Sequence, residues 1–236
     1  MDGIINVYKE KGFTSHDVVA KLRGILRMKK IGHTGTLDPA AEGVLPVCLG
    51  KGTRLCDMLT DKTKTYRAVL LLGKETDTQD TTGAVQTEYP VHVTEEEVRE
   101  AILSFLGDYM QIPPMYSAVQ KNGQRLYDLA RQGIEVERES RKVTVYSLSL
   151  ANFDEKAQTG TLEISCSKGT YVRTIIDDIG KVLGVGAVMT ALCRTSACGF
   201  SLDECITLDE LKSICENGNV EEKLRSVESL FMSLGY

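Results

Sequence analysis

The stretch Gly32-His33-Thr34-Gly35-Thr36-Leu37-Asp38-Pro39, continued by Ala40-Ala41-Glu42-Gly43-Val44-Leu45-Pro46-Val47, decides how the rest of the chain is read. A carboxylate, an imidazole and several glycines stand together directly before an apolar run. Glycine reaches backbone conformations that other residues resist, and Pro39 pushes Asp38 into extended backbone. Conformational freedom is spent here on fixing one carboxylate and one imidazole. An Asp-Pro step beside glycines also makes an ordinary turn, so composition alone leaves both a turn and a reactive loop open.

Upstream of this loop, Lys21, Arg23, Arg27, Lys29 and Lys30 form a basic block containing no acid. The formal net charge of the 236-residue chain is nevertheless −5, unlike the basic footprint usual for RNA-binding proteins. The acid excess sits at the end. From Ser201 onward there are eight acidic and three basic residues, which leaves 25 of each sign in residues 1–200. Further basic residues gather at Lys62, Lys64 and Arg67 and at Lys121, Arg125 and Arg131. A charged helix face is usually only solvated; the position of these clusters around the loop is what suits them to phosphate contact.

With 42% hydrophobic residues the chain can bury an ample core in one large domain or two small ones. No apolar stretch approaches the roughly 18–20 residues of a membrane span, and Met1-Asp2-Gly3 does not open a signal peptide. The expected compartment is therefore the cytoplasm. Seven cysteines, odd in number and without a Cys-x-x-Cys pair, read as reduced, mostly buried thiols. With only His16, His33 and His92 besides, no metal is expected. Gly50-Lys51-Gly52-Thr53 hints at a nucleotide loop, but glycine rather than Ser or Thr follows the lysine.

Periodicity predicts a strand over residues 3–8. Ser15 is read as the N-cap of a helix carrying Val18, Val19, Leu22, Ile25 and Leu26. Buried apolar structure follows over Val44–Leu49, then a strand over Tyr66–Leu72. Glu75 to Gly83 reads as a polar loop. Thr94 and Glu97 form a capping box for a helix whose stripe is Val98, Ile102, Phe105 and Leu106. Shorter signals predict a helix from Gln124 to Arg131, strands over Val143–Leu150 and Thr161–Cys166, and a helix from near Tyr171. A capped helix opens at Thr207 and Glu210. Strands and helices mix without a βαβ rhythm, so the fold class is α+β. Without a linker, residues 1–200 read as one catalytic domain and residues 201–236 as its helical tail.

Five separated motifs share one resemblance. Gly32–Val47 resembles the catalytic motif of the TruB-type tRNA pseudouridine synthases. Lys9-Glu10-Lys11-Gly12-Phe13-Thr14-Ser15 is similar to the family's KPxGxTS segment, with Glu10 in place of its proline. Lys64-Thr65-Tyr66-Arg67 is similar to its Lys-x-Tyr-Arg strand, and Gln111–Ala118 to QIPxMYSA. Cys166–Thr174 resembles CSKGTYxRTL.

The resemblance implies a curved mixed or antiparallel sheet flanked by helices, with an RNA-binding cleft. It implies conversion of the T-loop uridine 55 of tRNA to pseudouridine, with the target base flipped out and no cofactor. Asp38 would be the catalytic carboxylate, acting on C1′ or on the base. Arg173 would keep it ionised, and Tyr66 would stack on the uracil and help remove the C5 proton. Tyr171 and Leu192 would line the pocket, His33 would contact RNA, and Lys9 would support substrate binding. The expected partner is the tRNA T-arm, bound by a monomer, with no membrane and no metal. Bacterial relatives usually add a small C-terminal RNA-binding domain of the PUA kind, and Tyr236 comes before one could fit. Two other readings compete: a non-catalytic RNA-binding module and, far behind, a nucleotide-binding protein.

Overall fold

A computed structural model describes residues 1–60, 62–218 and 220–233. In chain order the elements are β1 (Gly3–Lys9), α1 (Ser15–Ile25), β2 (Ile31–His33), β3 (Glu42–Leu49), α2 (Cys56–Thr60) and β4 (Lys64–Leu72). Next come β5 (Lys74–Thr76), β6 (Val85–Glu88), α3 (Glu95–Leu103), β7 (Gly107–Gln111), β8 (Gln120–Lys121), β9 (Gln124–Arg125) and α4 (Leu126–Arg131). The chain closes with β10 (Arg141–Asp154), β11 (Thr159–Cys166), α5 (Val172–Leu183), β12 (Ala187–Ala197), β13 (Phe200–Ser201), α6 (Leu208–Asn217) and α7 (Val227–Ser233). They form two compact units: Met1–Tyr66 with Leu192–Tyr236, and Arg67–Ala191.

In the first unit β1 and β2 both run antiparallel to β3, and the end of β12 joins β3 in parallel. Side chains alternate between the two faces of a strand. Ile5, Val7, Leu45, Val47 and Leu49 therefore pack with Val18, Val19 and Leu22 of α1 and Leu211 of α6. Ile4, Val44 and Cys48 point to the other face, onto Leu59, Ala197, Phe200 and Leu230. Because β1 and β3 are covered on both sides, they read as continuous apolar runs rather than alternating ones. The helices after Ser201 belong to this unit, and the last three residues of the expected tail lie outside the described residues.

In the second unit β7, β10 and β11 form an antiparallel ladder that β4 continues beside β11. The helix α3 packs on β10 and α5. Thr94 and Glu97 make the expected reciprocal cap. The helix then stops at Leu103, leaving Leu106 exposed outside the stripe while Phe105 is buried.

Three local expectations are corrected. The N-cap of α1 is Thr14, not Ser15: its hydroxyl accepts from Asp17 N, and the Asp17 carboxylate accepts from Thr14 N. A capping box needs an acceptor at the third helical position, and for Ser15 that residue would be Val18. The helix predicted from Gln124 begins at Leu126, because Gln124–Arg125 pair with Gln120–Lys121 across Asn122-Gly123. Both turn residues have positive φ (53° and 79°), the geometry that Asn-Gly favours in tight hairpins. The polar loop at Glu75–Gly83 begins as strand β5 and continues as a turn held by its own side chains.

Among the described residues no helix is long and apolar enough to cross a membrane. No grouping of His, Cys, Asp or Glu there could hold a metal ion. None of the seven cysteines forms a disulfide, and Cys48, Cys166 and Cys198 are buried.

Candidate active site

In the first unit Asp38 is half-buried in an irregular loop between β2 and β3. Its two chain neighbours are both tied to the Gly12–Ser15 stretch that leads from β1 into α1. Leu37 N donates to Ser15 Oγ (2.9 Å), and Gly12 N donates to the Pro39 carbonyl (2.8 Å). Ser15 can serve this purpose because Thr14 has taken over the capping. On the near side Thr34 donates from N and Oγ1 to the Pro46 carbonyl (3.1 and 3.2 Å), closing the loop's ends.

A residue that the sequence reading did not single out completes the frame. Arg194, on β12, is 0% exposed. It donates from Nε to the Val44 carbonyl (2.7 Å) and from its terminal nitrogens to the carbonyls of Thr36 (3.4 Å) and Gly35 (3.3 Å). Gly43 pairs with Arg194 in the parallel ladder, and a Cβ there would lie 2.3 Å from the Arg194 carbonyl oxygen. With φ of +106° as well, position 43 requires glycine.

Lys9, expected to support substrate binding, is 0% exposed. Its Nζ donates to the carbonyls of Glu10 (3.1 Å) and Phe13 (2.6 Å). Burial pulls its pKa down to about 8, opposed by the nearby Asp38 charge and assisted by Arg194. These two bonds shape the Glu10–Phe13 turn. Lys64 is likewise buried, with Nζ on the Thr60 and Lys62 carbonyls (2.7 and 2.8 Å), so it is not a surface phosphate contact. Residues 21, 23, 27, 29 and 30 are all exposed cations, as the basic-block reading expects.

His33 accepts at Nδ1 from Gly35 N (3.3 Å) and meets the His16 ring edge-on at 5.2 Å. Burial first, then the charges of His16 and Arg194, lower its pKa below the ordinary 6.5, which favours the neutral imidazole near pH 7. Tyr66 is 8% exposed, on the inward-facing alternation of β4 with Lys64. Leu192 is half-buried, two residues before Arg194 on β12.

The second unit holds Arg173 and Tyr171 at the start of α5. Arg173 is 6% exposed; its Nη1 lies 3.5 Å from Asp80 Oδ2, and Nη2 donates to the Tyr116 carbonyl (2.5 Å). Asp80 is itself fixed, its Oδ1 accepting from Thr78 Oγ1 (2.8 Å) and from Thr82 N (2.9 Å) and Oγ1 (2.5 Å). Tyr171 is clamped at its backbone by Gln111, whose side-chain amide accepts from Tyr171 N (2.8 Å) and donates to Tyr171 O (3.0 Å). The Arg173 guanidinium stands 5.8 Å from the centre of the Tyr171 ring. Asp80 and Gln111 are thus two further residues of the candidate site. Asp80 was hidden in a segment read as loop, although its density of Thr and Asp marks a turn that satisfies its own backbone. Gln111 opens the Gln111–Ala118 motif, and its role as a backbone clamp has no local sequence signal.

Arg125 and Arg131 both approach the Tyr127 ring, at 5.7 and 5.3 Å from its centre, beside the hairpin of β8 and β9.

Residues 23–172 match the family model "TruB family pseudouridylate synthase (N terminal domain)", and residues 173–230 match "tRNA pseudouridylate synthase B C-terminal domain". A protein of Alkaliphilus oremlandii named tRNA pseudouridine synthase B is 51% identical over 95% of this chain and 73% of its own length. One of the same name from Geobacter sulfurreducens is 51% identical over 96% of this chain and 74% of its own. Among solved structures, a Cbf5–Nop10–Gar1 complex superimposes with a TM-score of 0.76 at 30% identity. That match covers 98% of this chain and 62% of the other. An H/ACA RNP bound to a substrate RNA containing 2′-deoxyuridine gives 0.74 at 28% identity, over 98% and 61%. The architecture is the α+β pseudouridine synthase fold.

Proposed function

The chain belongs to the TruB family of pseudouridylate synthases, and on that premise we propose that it isomerises uridine 55 in the T-loop of tRNA to pseudouridine. One observation carries the reading. Asp38 sits between two residues whose backbones are each hydrogen-bonded to the Gly12–Ser15 segment, in a loop that Arg194 holds from the other side. A turn that served only to reverse the chain would not need the backbone on both sides of its aspartate held by two separate stretches of chain.

In the proposed reaction the N1–C1′ bond breaks, the uracil turns, and C5 bonds to C1′. The C5 proton leaves and a proton is taken up at N1, so composition is unchanged and no cofactor takes part. The ionised carboxylate of Asp38 acts on C1′ or on the base; carboxylates are established nucleophiles toward glycosidic carbon. Arg173 is the cation that acts with Asp38, and Asp80 and the Tyr116 carbonyl hold its guanidinium in place. Tyr66 stacks on the uracil and helps to remove the C5 proton. Tyr171 and Leu192 line the nucleotide's surroundings.

The target nucleotide must leave its stack, at a cost of a few kcal/mol. RNA loops are bound through shape, stacking and backbone contacts. The exposed cations of residues 21–30 supply phosphate contacts, and neutral His33 supplies a hydrogen-bonding group. Lys9 acts indirectly, by shaping the turn that holds Pro39. The working species is a monomer on one T-arm.

The test is incubation with a T-arm hairpin and with the same hairpin carrying cytidine at the target. Pseudouridine in the first hairpin only is expected. Product in neither, at any protein concentration, would leave the non-catalytic RNA-binding reading in its place.

A further inference from the structure

We propose that Arg194 is a positioning residue for catalysis: its guanidinium sets the conformation of the loop that presents Asp38. The inference rests on the reading of Asp38 as the reacting carboxylate.

Among the described residues Arg194 is the largest fully buried side chain, and like the buried ammoniums of Lys9 and Lys64 it is bonded to main-chain carbonyls. What sets it apart is where they lie, those of Gly35 and Thr36 in the loop before Asp38 and that of Val44, on β3, after it. One planar group therefore joins the two arms of the loop with Asp38 between them. Arginine is suited to this because its donors form a rigid fork, whereas the ammonium of lysine is a single centre on a flexible stem. Removing the fork takes that donor from the buried Val44 carbonyl and releases the partly buried Gly35 and Thr36 carbonyls toward water, so the loop is free to rearrange.

The backbone at 194 is as closely fitted as the side chain. Gly43 lies opposite it in the ladder, and any side chain at 43 would collide with the Arg194 main chain. The guanidinium's place relative to Val44 is thereby set by strand pairing. The Gly35 end is packed as well, since a Cβ at Gly35 would lie 3.3 Å from Lys64 Cε and 3.8 Å from Arg194 Nη1. The charge has a second effect, lowering the proton affinity of both Lys9 and His33 on the flanks of the loop.

A residue that only filled the core would be replaceable at the expense of general stability. A positioning residue shows its loss in the chemical step, because misplacing a reacting group by about 1 Å is enough to slow it on the order of 10²-fold. The test compares the parent 236-residue chain with Arg194→Lys, which keeps the charge, and Arg194→Gln, which keeps a donor and loses the charge. Three quantities are read: the single-turnover rate on saturating T-arm hairpin, the hairpin dissociation constant, and hydrogen exchange by peptide. Both variants are expected to lose about 10²-fold in rate with affinity within about twofold. Exchange is expected to accelerate over residues 34–41 while peptides from α3 and α5 stay unchanged. A parental rate in Arg194→Lys overturns the proposal. So does accelerated exchange throughout the first unit, or failure of both variants to fold, each of which assigns the residue to general stability. If the parent itself makes no pseudouridine, the functional reading fails, while the exchange data still show whether Arg194 orders the loop.

Discussion

Arg173 and Asp80 form a buried ion pair within the second unit, with Nη1 3.5 Å from Oδ2 and both residues less than a tenth exposed. The carboxylate is anchored by three hydrogen bonds from Thr78 and Thr82, so it is a fixed counter-charge rather than a mobile one. Truncating one partner of a buried pair leaves the other uncompensated. Asp80→Ala is expected to lower the single-turnover rate on the order of 10²-fold, by letting the guanidinium shift. Asp80→Glu, with its longer stem, is expected to restore part of that loss. Rates of both variants on a T-arm hairpin check this, and a parental rate in Asp80→Ala would contradict it.

Gly43→Ala is expected to destabilise the first unit by about 2 kcal/mol or more, because a Cβ would lie 2.3 Å from backbone oxygen and φ is +106°. Gly12→Ala carries the φ penalty alone, since nothing lies within 4 Å of a Cβ there. Its effect is expected to be about 1 kcal/mol. Denaturant midpoints for the two variants separate collision from backbone strain.

The stability contributed by Lys9 depends on pH in a definite direction. Burial lowers its pKa to about 8 from the ordinary 10.5. Between those values the unfolded chain keeps a proton that the folded chain has released, so stability rises with pH across that window. Lys9→Met does not titrate and lacks the rise. The stability difference, parent minus Lys9→Met, is expected to grow from about pH 8 to about pH 10; a flat or falling difference would contradict the burial of the ammonium.

Replacing Lys21, Arg23, Arg27, Lys29 and Lys30 together by Gln is expected to weaken T-arm binding and flatten its salt dependence. Each lost phosphate contact lowers the logarithmic slope by about 0.7–0.9. The single-turnover rate at saturation should stay within about twofold, since none of these side chains lies in the Asp38 loop. Titrations at several salt concentrations give the slope.

The elements with clean local signals were legible in the sequence. The capping boxes at Thr94 and Thr207, the stripe of α1 and the buried run of β3 all stand where periodicity and cap chemistry put them. The strand β12 was not seen, because Ala187–Ala197 mixes small, polar and apolar residues without alternation and owes its place to neighbouring strands. The polar edge strand β7 escaped for the same reason. Within the candidate site the motif residues could be named, but not their supports. Arg194 reads as a surface cation until the fold buries it, and Asp80 reads as a loop residue until Arg173 is beside it. Ser15 reads as a helix cap, a place that Thr14 takes in the structure. The Ser15 hydroxyl accepts from Leu37 N in the Asp38 loop, a contact 22 residues away in sequence, while the Lys9 ammonium holds the adjoining Glu10–Phe13 turn.

The measurement that bears most directly on the central claim is a single-turnover assay of pseudouridine in a T-arm hairpin, run on the parent and on Asp38→Asn with hairpin affinity measured in parallel. The expected result is conversion of one T-loop uridine by the parent, none by Asp38→Asn, and affinities within about threefold, since the substitution alters only the reacting oxygen. Turnover by Asp38→Asn close to that of the parent would contradict the assignment of Asp38 as the reacting carboxylate.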